Sequence, residues 1–254
     1  MTNSLQIIAD ALTSGTKKYE FVPEDTVKTT YGKTLTRIKA LVAIPFHNVK
    51  IGDLGGYLES EKNLSHEGDC WVGGNAKVLG DAEVYDNAVV TGNAWVLGNA
   101  KVSGNAKVFG NSWVFGNSWV FGNAQVYGNA KVSGNAEVSE NAMVSENAMV
   151  VGNATVSENA MVFGNATVCG SAKVSGNAKV SGNAEVADNA KVSGNACVSG
   201  AALVSGNAKV LGNAKVYGSA GVFGNSRVYG DALVSGNAKV EGNTEVEGTK
   251  KISK

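Results

Sequence analysis

Residues 102–113 read Val-Ser-Gly-Asn-Ala-Lys-Val-Phe-Gly-Asn-Ser-Trp, which is two copies of one six-residue unit. From Val72 to Val246 every sixth residue is valine, without an insertion. Self-similarity at a short fixed period is the sequence signature of a solenoid. Six residues are a whole number of strand repeats, so each valine and the small residue two positions before it point to the same side. A helical period of 3.6 would scatter the valines, so the sequence predicts stacked β-strands.

The Gly-Asn pair in each unit marks a corner of the chain. Asparagine tolerates the left-handed backbone conformation better than most residues, and it stays in its position where Glu140, Glu146 and Glu158 replace the glycine. We therefore expect the asparagine to bend the chain at positive φ. Ala201 replaces this asparagine once, and we expect it to be strained.

The order of an aliphatic residue, turn residues, a small residue and a variable residue resembles the hexapeptide-repeat superfamily. The resemblance implies an all-β fold, a left-handed parallel β-helix shaped as a triangular prism. In that superfamily three hexads make one coil, so residues 72–246 would form about ten coils with a length of about 48 Å. Proteins of this superfamily are commonly trimers whose prisms pack side by side.

The residues before the repeat predict a separate cap. We assign residues 1–70 to a small α+β capping domain and residues 71–254 to the β-helix with its short C-terminal end. A serine cap and a one-sided apolar pattern predict a helix from Ser4 to Leu12. β-branched and alternating residues predict an antiparallel meander with segments at 19–22, 26–31 and 34–44. The cap would cover the apolar interior and the free strand edges of the first coil.

A narrower resemblance covers this N-terminal part. The sequence from Leu35-Thr-Arg-Ile-Lys-Ala-Leu41 through Gly55-Gly-Tyr57, Asn63-Leu-Ser65 and Gly68-Asp-Cys-Trp71 is similar to the capping domain of YdcK-like hexapeptide-repeat proteins of bacteria and phages. The resemblance implies a bacterial or phage origin, and it carries no established activity.

The chain has 22 basic and 22 acidic residues, so its formal net charge is zero. This balance argues against a nucleic-acid partner that is held by bulk charge. The sequence shows neither a long apolar run nor a signal segment, so we expect a cytoplasmic protein without a membrane partner. The three cysteines do not suggest a disulfide framework, and we expect free thiols.

The chain offers little for catalysis. Its two histidines, His47 and His66, both precede the repeat. Acyltransferases of the hexapeptide superfamily use a histidine base beside the coil, and zinc hydratases on the same prism use three histidines between subunits. No inserted loop interrupts the hexads to enclose a substrate. We therefore expect no catalytic, cofactor-binding or metal-binding residue, no cofactor and no enzymatic activity.

Residues eighteen apart fall on the same side of a three-sided prism, so the outward residues sort into three faces. The tryptophan face, which carries Trp95 and Trp113, begins with a ladder of apolar residues. The lysine face, which carries Lys173 and Lys191, is expected to be mainly solvated. The methionine face, which carries Met143, mixes apolar and basic residues. The apolar ladder is the candidate interface, and its residues are Leu79, Trp95, Leu97, Trp113 and Phe115.

A monomer seldom exposes such a patch without using it. We therefore expect a non-enzymatic structural or protein-interaction scaffold that forms a homo-oligomer, with a trimer favoured, and that has a possible protein partner. Two alternatives stay open. One is an acyl or sugar-modifying transferase with a site between subunits, and the other is a phage-encoded protein that binds a host protein or a small ligand. Docking of the predicted N-terminal helix on the ladder would instead hide it within one chain.

Overall fold

The computed structural model describes residues 17–254, so the predicted helix from Ser4 to Leu12 lies outside the described residues. The described part begins with two antiparallel strands, β1 (Tyr19–Lys28) and β2 (Thr34–Ala40). A third strand, β3 (Leu54–Leu58), is antiparallel to β2 and parallel to a strand of the repeat. The N-terminal sheet therefore continues into the solenoid without a break in hydrogen bonding.

Three sheets contain all the named strands, and each sheet forms one side of the prism. The 13-stranded sheet contains β1, β2, β3, β5 (Lys77–Val78), β8 (Trp95–Gly98), β11 (Trp113–Gly116), β14 (Lys131–Val132), β17 (Met149–Val150), β20 (Thr167–Val168), β23 (Glu185–Val186), β26 (Leu203–Val204), β29 (Gly221–Val222) and β32 (Lys239–Val240). The 11-stranded sheet contains β4 (Trp71–Val72), β7 (Val89–Val90), β10 (Lys107–Val108), β13 (Gln125–Val126), β16 (Met143–Val144), β19 (Met161–Val162), β22 (Lys179–Val180), β25 (Cys197–Val198), β28 (Lys215–Val216), β31 (Leu233–Ser235) and β34 (Lys251–Ser253). The ten-stranded sheet contains β6 (Glu83–Val84), β9 (Lys101–Val102), β12 (Trp119–Val120), β15 (Glu137–Val138), β18 (Thr155–Val156), β21 (Lys173–Val174), β24 (Lys191–Val192), β27 (Lys209–Val210), β30 (Arg227–Val228) and β33 (Glu245–Val246).

In the repeat each strand pairs in parallel with the strand three places later, and paired residues are eighteen positions apart, as Trp95 and Trp113 are. The N–H of Trp95 donates to the carbonyl oxygen of Ser112 at 2.9 Å, and this bond recurs along the rod. All thirty valines from Val72 to Val246 are at most 1% exposed. Burying one valine contributes about 1.5–3 kcal/mol, so this inward column supplies most of the core.

The prediction of an all-β parallel β-helix is confirmed, with about eleven stacked turns. The first turn begins earlier than Val72. Leu58 pairs with Val78, and Leu64 forms a parallel bridge with Val84, so the first turn is twenty residues long. The division between residues 1–70 and 71–254 stays a prediction, because one hydrogen-bonded sheet runs through both parts.

The N-terminal meander differs from the prediction in which segments form its strands. The segment around Pro23 does not separate two strands, because it forms a β-bulge inside β1, between Val22 and Thr26. The third strand is β3, whereas residues 41–53 contain a short 3₁₀ helix at Pro45–His47. A second 3₁₀ helix, Glu61–Asn63, precedes the repeat. Within residues 17–254 these two short segments are the helical structure.

The prediction that asparagine bends each corner is wrong. The residue before it has the positive φ, usually glycine, as Gly176 has with a φ of 71°. Glu140, Glu146 and Glu158 adopt the same conformation, with φ of 57–60°. The asparagine instead bonds to its counterpart in the next turn, as the Asn159 side-chain amide donates to the Asn177 amide oxygen at 3.1 Å. Its repetition follows from this amide ladder and not from its backbone conformation.

The prediction about Ala201 is wrong for the same reason. Residues of the described chain other than glycine have positive φ at six positions, and Ala201 is not one of them. The residue before it, Gly200, makes the bend with a φ of 73°. Ala201 therefore carries no left-handed strain. Its side chain has no amide group, so it does not take part in the asparagine ladder.

Candidate functional site

The tryptophan face carries a stack of aromatic and basic side chains. The Trp95 and Trp113 rings lie parallel, with centroids 5.0 Å apart and an angle of 5° between their planes. The Nζ of Lys77 lies 5.0 Å from the Trp95 centroid and 5.7 Å from the Tyr57 centroid. The order follows from the eighteen-residue register, because the residue before each inward aliphatic residue points outward. The stack gives this end of the rod a rigid aromatic surface.

An arginine of the N-terminal sheet closes the upper end of this stack. The guanidinium carbon of Arg37 lies 4.3 Å from the Tyr57 centroid, and an Arg37 nitrogen donates to the Tyr57 hydroxyl at 2.6 Å. The Arg37 Nε is 2.6 Å from an Asp25 carboxylate oxygen. Burial lowers the pKa of the Lys77 ammonium, and the charge of Arg37 lowers it further. The cap and the repeat are thus joined by the cation–π contacts that Arg37 and Lys77 make with the Tyr57 ring, as well as by strands.

The hairpin formed by β1 and β2 covers part of the candidate interface. Leu79 is only 5% exposed, and it lies in an apolar cluster with Leu35 and Tyr57. Val27 and Leu97 are half-buried against the same cluster. The ammonium of a hairpin lysine, Lys33, is 2.7 Å from the carboxylate of Glu59 and holds the hairpin on this face. Leu79 is therefore part of the folded chain's own core.

Below the hairpin a cleft of about 280 Å³ remains open. Its walls are Tyr31 from the hairpin tip, Leu97, Trp113, Phe115 and Lys131. Tyr31 is 72% exposed, so its ring contributes a wall without being packed into the core. The cleft combines aromatic side chains with one ammonium group, which suits a small apolar or aromatic side chain that carries a hydrogen-bond acceptor.

All five residues of the candidate interface lie together on one face of the prism. The hairpin covers Leu79, whereas Trp95, Leu97, Trp113 and Phe115 are half-buried. Their role as an interface stays a prediction. In the described chain the element that covers the ladder is the β1–β2 hairpin, and the alternative with the N-terminal helix lies outside the described residues.

The sequence interpretation missed Tyr57, Tyr31 and Arg37. Tyr57 was detectable, because it precedes Leu58 in the same way that Trp95 precedes Val96. Tyr31 was not detectable, because its position depends on how far the hairpin folds over the face. Arg37 lies on a strand whose partner β3 was not predicted.

The two histidines serve the cap. The His66 ring stacks on Tyr19 with centroids 4.4 Å apart, and its Nδ1 accepts a hydrogen bond from the Lys18 N–H at 3.1 Å. His47 lies within 2.9 Å of the carbonyl oxygen of Asn87. Burial lowers the pKa of both imidazoles.

Other reactive groups in the described chain are dispersed. In residues 17–254 no three His, Cys, Asp or Glu side chains are close enough together to hold a metal ion. The three cysteines are free thiols, as predicted, and the buried Cys70 Sγ is 3.0 Å from the Lys18 Nζ. No helix of this part of the chain is long and apolar enough to cross a membrane.

Comparison with protein families agrees with the fold. The YdcK beta solenoid repeat matches the chain twice, at residues 82–98 and 124–140. Both segments lie inside the uninterrupted hexads, and each contains one strand of each of the three faces. A comparison with curated proteins finds no match.

Proposed function

We propose that this β-solenoid protein with YdcK-like repeats is a non-enzymatic scaffold, a rigid rod that presents outward side chains to protein partners. One observation carries the proposal, namely that hexads run from Val72 to Val246 without an inserted loop. Inward positions are nearly constant, whereas outward positions vary, so the fold provides a surface that is independent of the core. In the described chain this leaves shallow surfaces with small open clefts, a geometry that suits contact with another protein.

The tryptophan face is the proposed contact surface. Trp95, Leu97, Trp113 and Phe115 form one half-buried patch, and the stacked rings are held rigid, so little side-chain entropy is lost on binding. Aromatic side chains are enriched at the centres of protein interfaces. The occupant that we propose is a second and third copy of this chain, packed side by side as a trimer. The balanced charge supports a protein partner in preference to nucleic acid.

The cleft beside Tyr31 favours one alternative, a foreign protein that inserts an apolar side chain between Trp113 and Lys131. A phage-encoded protein that binds a host protein would use the same surface. A transferase with a site between subunits is the remaining alternative, and it requires an acyl or sugar donor to bind to the oligomer.

Sedimentation velocity tests the trimer. We expect the wild type to sediment as a trimer or a larger oligomer at micromolar concentration, and Trp95→Glu combined with Trp113→Glu to abolish the trimer while the chain stays folded. The matched control is Phe109→Glu with Tyr127→Glu, because these two rings form a similar stack on the methionine face, with centroids 4.9 Å apart. A wild type that stays monomeric at high micromolar concentration contradicts the trimer and leaves the patch to a foreign partner. Saturable binding of acyl-CoA in a titration would favour the transferase.

A further inference from the structure

The lysine face carries a column of cations that lack counter-charges within the described chain. Lys173, Lys191 and Lys209 are direct register partners in consecutive strands. Strands in a sheet are about 4.8 Å apart, and like charges in opposed positions destabilise a sheet. No carboxylate of residues 17–254 lies within 4.0 Å of their ammonium groups. The nearby Asp188 carboxylate instead accepts the N–H of Gly206 at 2.9 Å.

The opposite charge lies on the same side of the rod, in the turns just before this column. Glu137 is an exposed residue of β15, and Glu140 and Glu158 occupy the corners that follow β15 and β18. Residues 132–172 contain four glutamates and no lysine or arginine. The half of the lysine face nearer the cap is thus acidic where it approaches the midpoint of the sheet, and the other half is basic.

We propose that two copies of the chain associate in antiparallel orientation through their lysine faces. The ten-stranded sheet has its midpoint between β18 and β21, with five strands on each side. Full overlap of two antiparallel sheets therefore places β15 of one copy opposite β24 of the other. In this register Glu137 faces Lys191 of the second copy. By the two-fold symmetry, Lys191 of the first copy faces Glu137 of the second. Thr155, with Glu158 at the adjacent corner, faces Lys173.

The next layer is complementary as well. Trp119 is 43% exposed and faces Lys209 of the second copy, while Phe121 faces Leu211. A lysine stem and ammonium on an indole ring combine apolar contact with a cation–π interaction. The third unpaired lysine of the column thus meets an exposed tryptophan.

The outer layers carry charges that are neutralised within each chain. Lys101 pairs with Glu83, and Arg227 pairs with Glu245, both at 3.4 Å. In the antiparallel register the Lys101–Glu83 pair of one copy faces the Arg227–Glu245 pair of the other. The repulsion between Lys101 and Arg227 is therefore reduced by the carboxylate that each cation contacts in its own chain. Of the three lysines without a partner in their own chain, Lys191 thus faces a carboxylate across the interface, Lys173 faces the strand that precedes the Glu158 corner, and Lys209 faces an aromatic ring.

A parallel arrangement would place each lysine opposite the same lysine, so the charge pattern selects the antiparallel one. In the four central strands of this face the residue after the inward valine also points outward, and it is serine in each strand, at Ser139, Ser157, Ser175 and Ser193. Because serine is small, this part of the face is flat. Ten strands at about 4.8 Å and four extended residues at about 3.3 Å give a contact on the order of 600 Å² per copy. Standard interfaces bury about 800 Å² per partner, so we expect a weak dimer, and its dependence on ion pairs should make it sensitive to salt.

Zero-length carbodiimide coupling tests the register directly. A mixture of unlabelled and ¹⁵N-labelled protein is coupled at low salt, and the cross-linked peptides are identified by mass spectrometry. We expect a product that joins Glu137 to Lys191 with one half labelled. Within one chain these residues are three strands apart, about 14 Å, which exceeds the reach of the two side chains. Absence of this mixed product at a concentration where dimers sediment would overturn the proposal.

Charge exchange provides the second test. Lys191→Glu should weaken dimerisation at least about tenfold, since it turns two symmetric attractions into repulsions. The combined Glu137→Lys and Lys191→Glu variant should restore it. Lys179→Glu on the methionine face is the matched control and should have no effect. Failure of the exchange variant to restore dimers would also refute the register.

These measurements separate this dimer from the proposed trimer. In the Trp95→Glu, Trp113→Glu background the trimer is absent, and the Glu137–Lys191 product should persist. Loss of that product in this background would show that the lysine faces do not associate independently, and this result would contradict the proposal.

Discussion

Replacing Glu146 by glycine should stabilise the protein. Glu146 occupies the corner position in the left-handed conformation, with a φ of 60°, and its neighbours in the stack are Gly128 and Gly164. A residue with a Cβ atom pays about 1–2 kcal/mol in this conformation. Glycine avoids that strain, although its greater freedom in the unfolded chain offsets about 0.5–1 kcal/mol. The expected net gain is about 1 kcal/mol, which raises the melting temperature by about 2–4 °C for a chain of this size.

The matched control is the same chemical change at a strand position. Glu185→Gly removes an exposed glutamate whose backbone is extended, so it relieves no strain and costs about 0.5–1 kcal/mol. Thermal unfolding followed by circular dichroism therefore should give shifts of opposite sign for the two variants. If Glu146→Gly destabilises the protein as much as Glu185→Gly does, the corner is not strained and the reasoning from φ fails.

Two further predictions concern the core and the cap. Ala160→Leu should lower the melting temperature, because Ala160 is fully buried at a corner and the added carbons cost about 1–3 kcal/mol; Ala201→Leu at an exposed position is the control, and an equal effect would contradict the inward assignment. The folded-state pKa of His47 and His66 is lowered by burial, so the unfolded chain binds protons first and stability falls as the pH drops below about 6.5. A melting temperature that is constant from pH 8 to pH 5.5, or an equal fall in the His47→Gln, His66→Gln variant, would show that these imidazoles are not responsible.

The period of six was sufficient to predict the solenoid, because strand alternation leaves each valine only one side to occupy. It also placed Trp95 over Trp113 and Leu97 over Phe115, since residues eighteen apart must stack when a turn contains three hexads. These inferences need only the arithmetic of the repeat. They would fail at the first insertion, and the hexads contain none.

The corner was predicted incorrectly because glycine and asparagine both favour positive φ and are adjacent in most units. The argument relied on which residue is replaced less often. Glycine is replaced by Glu140, Glu146 and Glu158, which suggested that its conformation was ordinary, but these glutamates keep the left-handed conformation. Asparagine is retained for a contact between turns, as in the bond of Asn141 to Asn159 at 3.0 Å, and a single hexad cannot reveal such a contact.

The cap could be predicted only in part because its strands obey no repeat. Pro23 suggested a break between strands, but it lies in a bulge that the partner strand β2 tolerates. The cover of Leu79 by Leu35 depends on the path of the hairpin, which local sequence does not define. For the same reason the cleft beside Tyr31 could not be foreseen, although four of its five walls belong to regular elements or their flanks.

The separation of inward and outward positions explains how one regular rod can carry two different surfaces. The valine and alanine positions maintain the prism, so the outward residues change the surface without changing the core. On the tryptophan face, rings stack in register and make an apolar patch near the cap. On the lysine face, cations stack in register although this stacking is unfavourable within one chain. Because Glu137 occupies the position equivalent to Lys191, the fold accepts either charge there, and the order of charges along the rod is free to encode the orientation of a neighbouring copy.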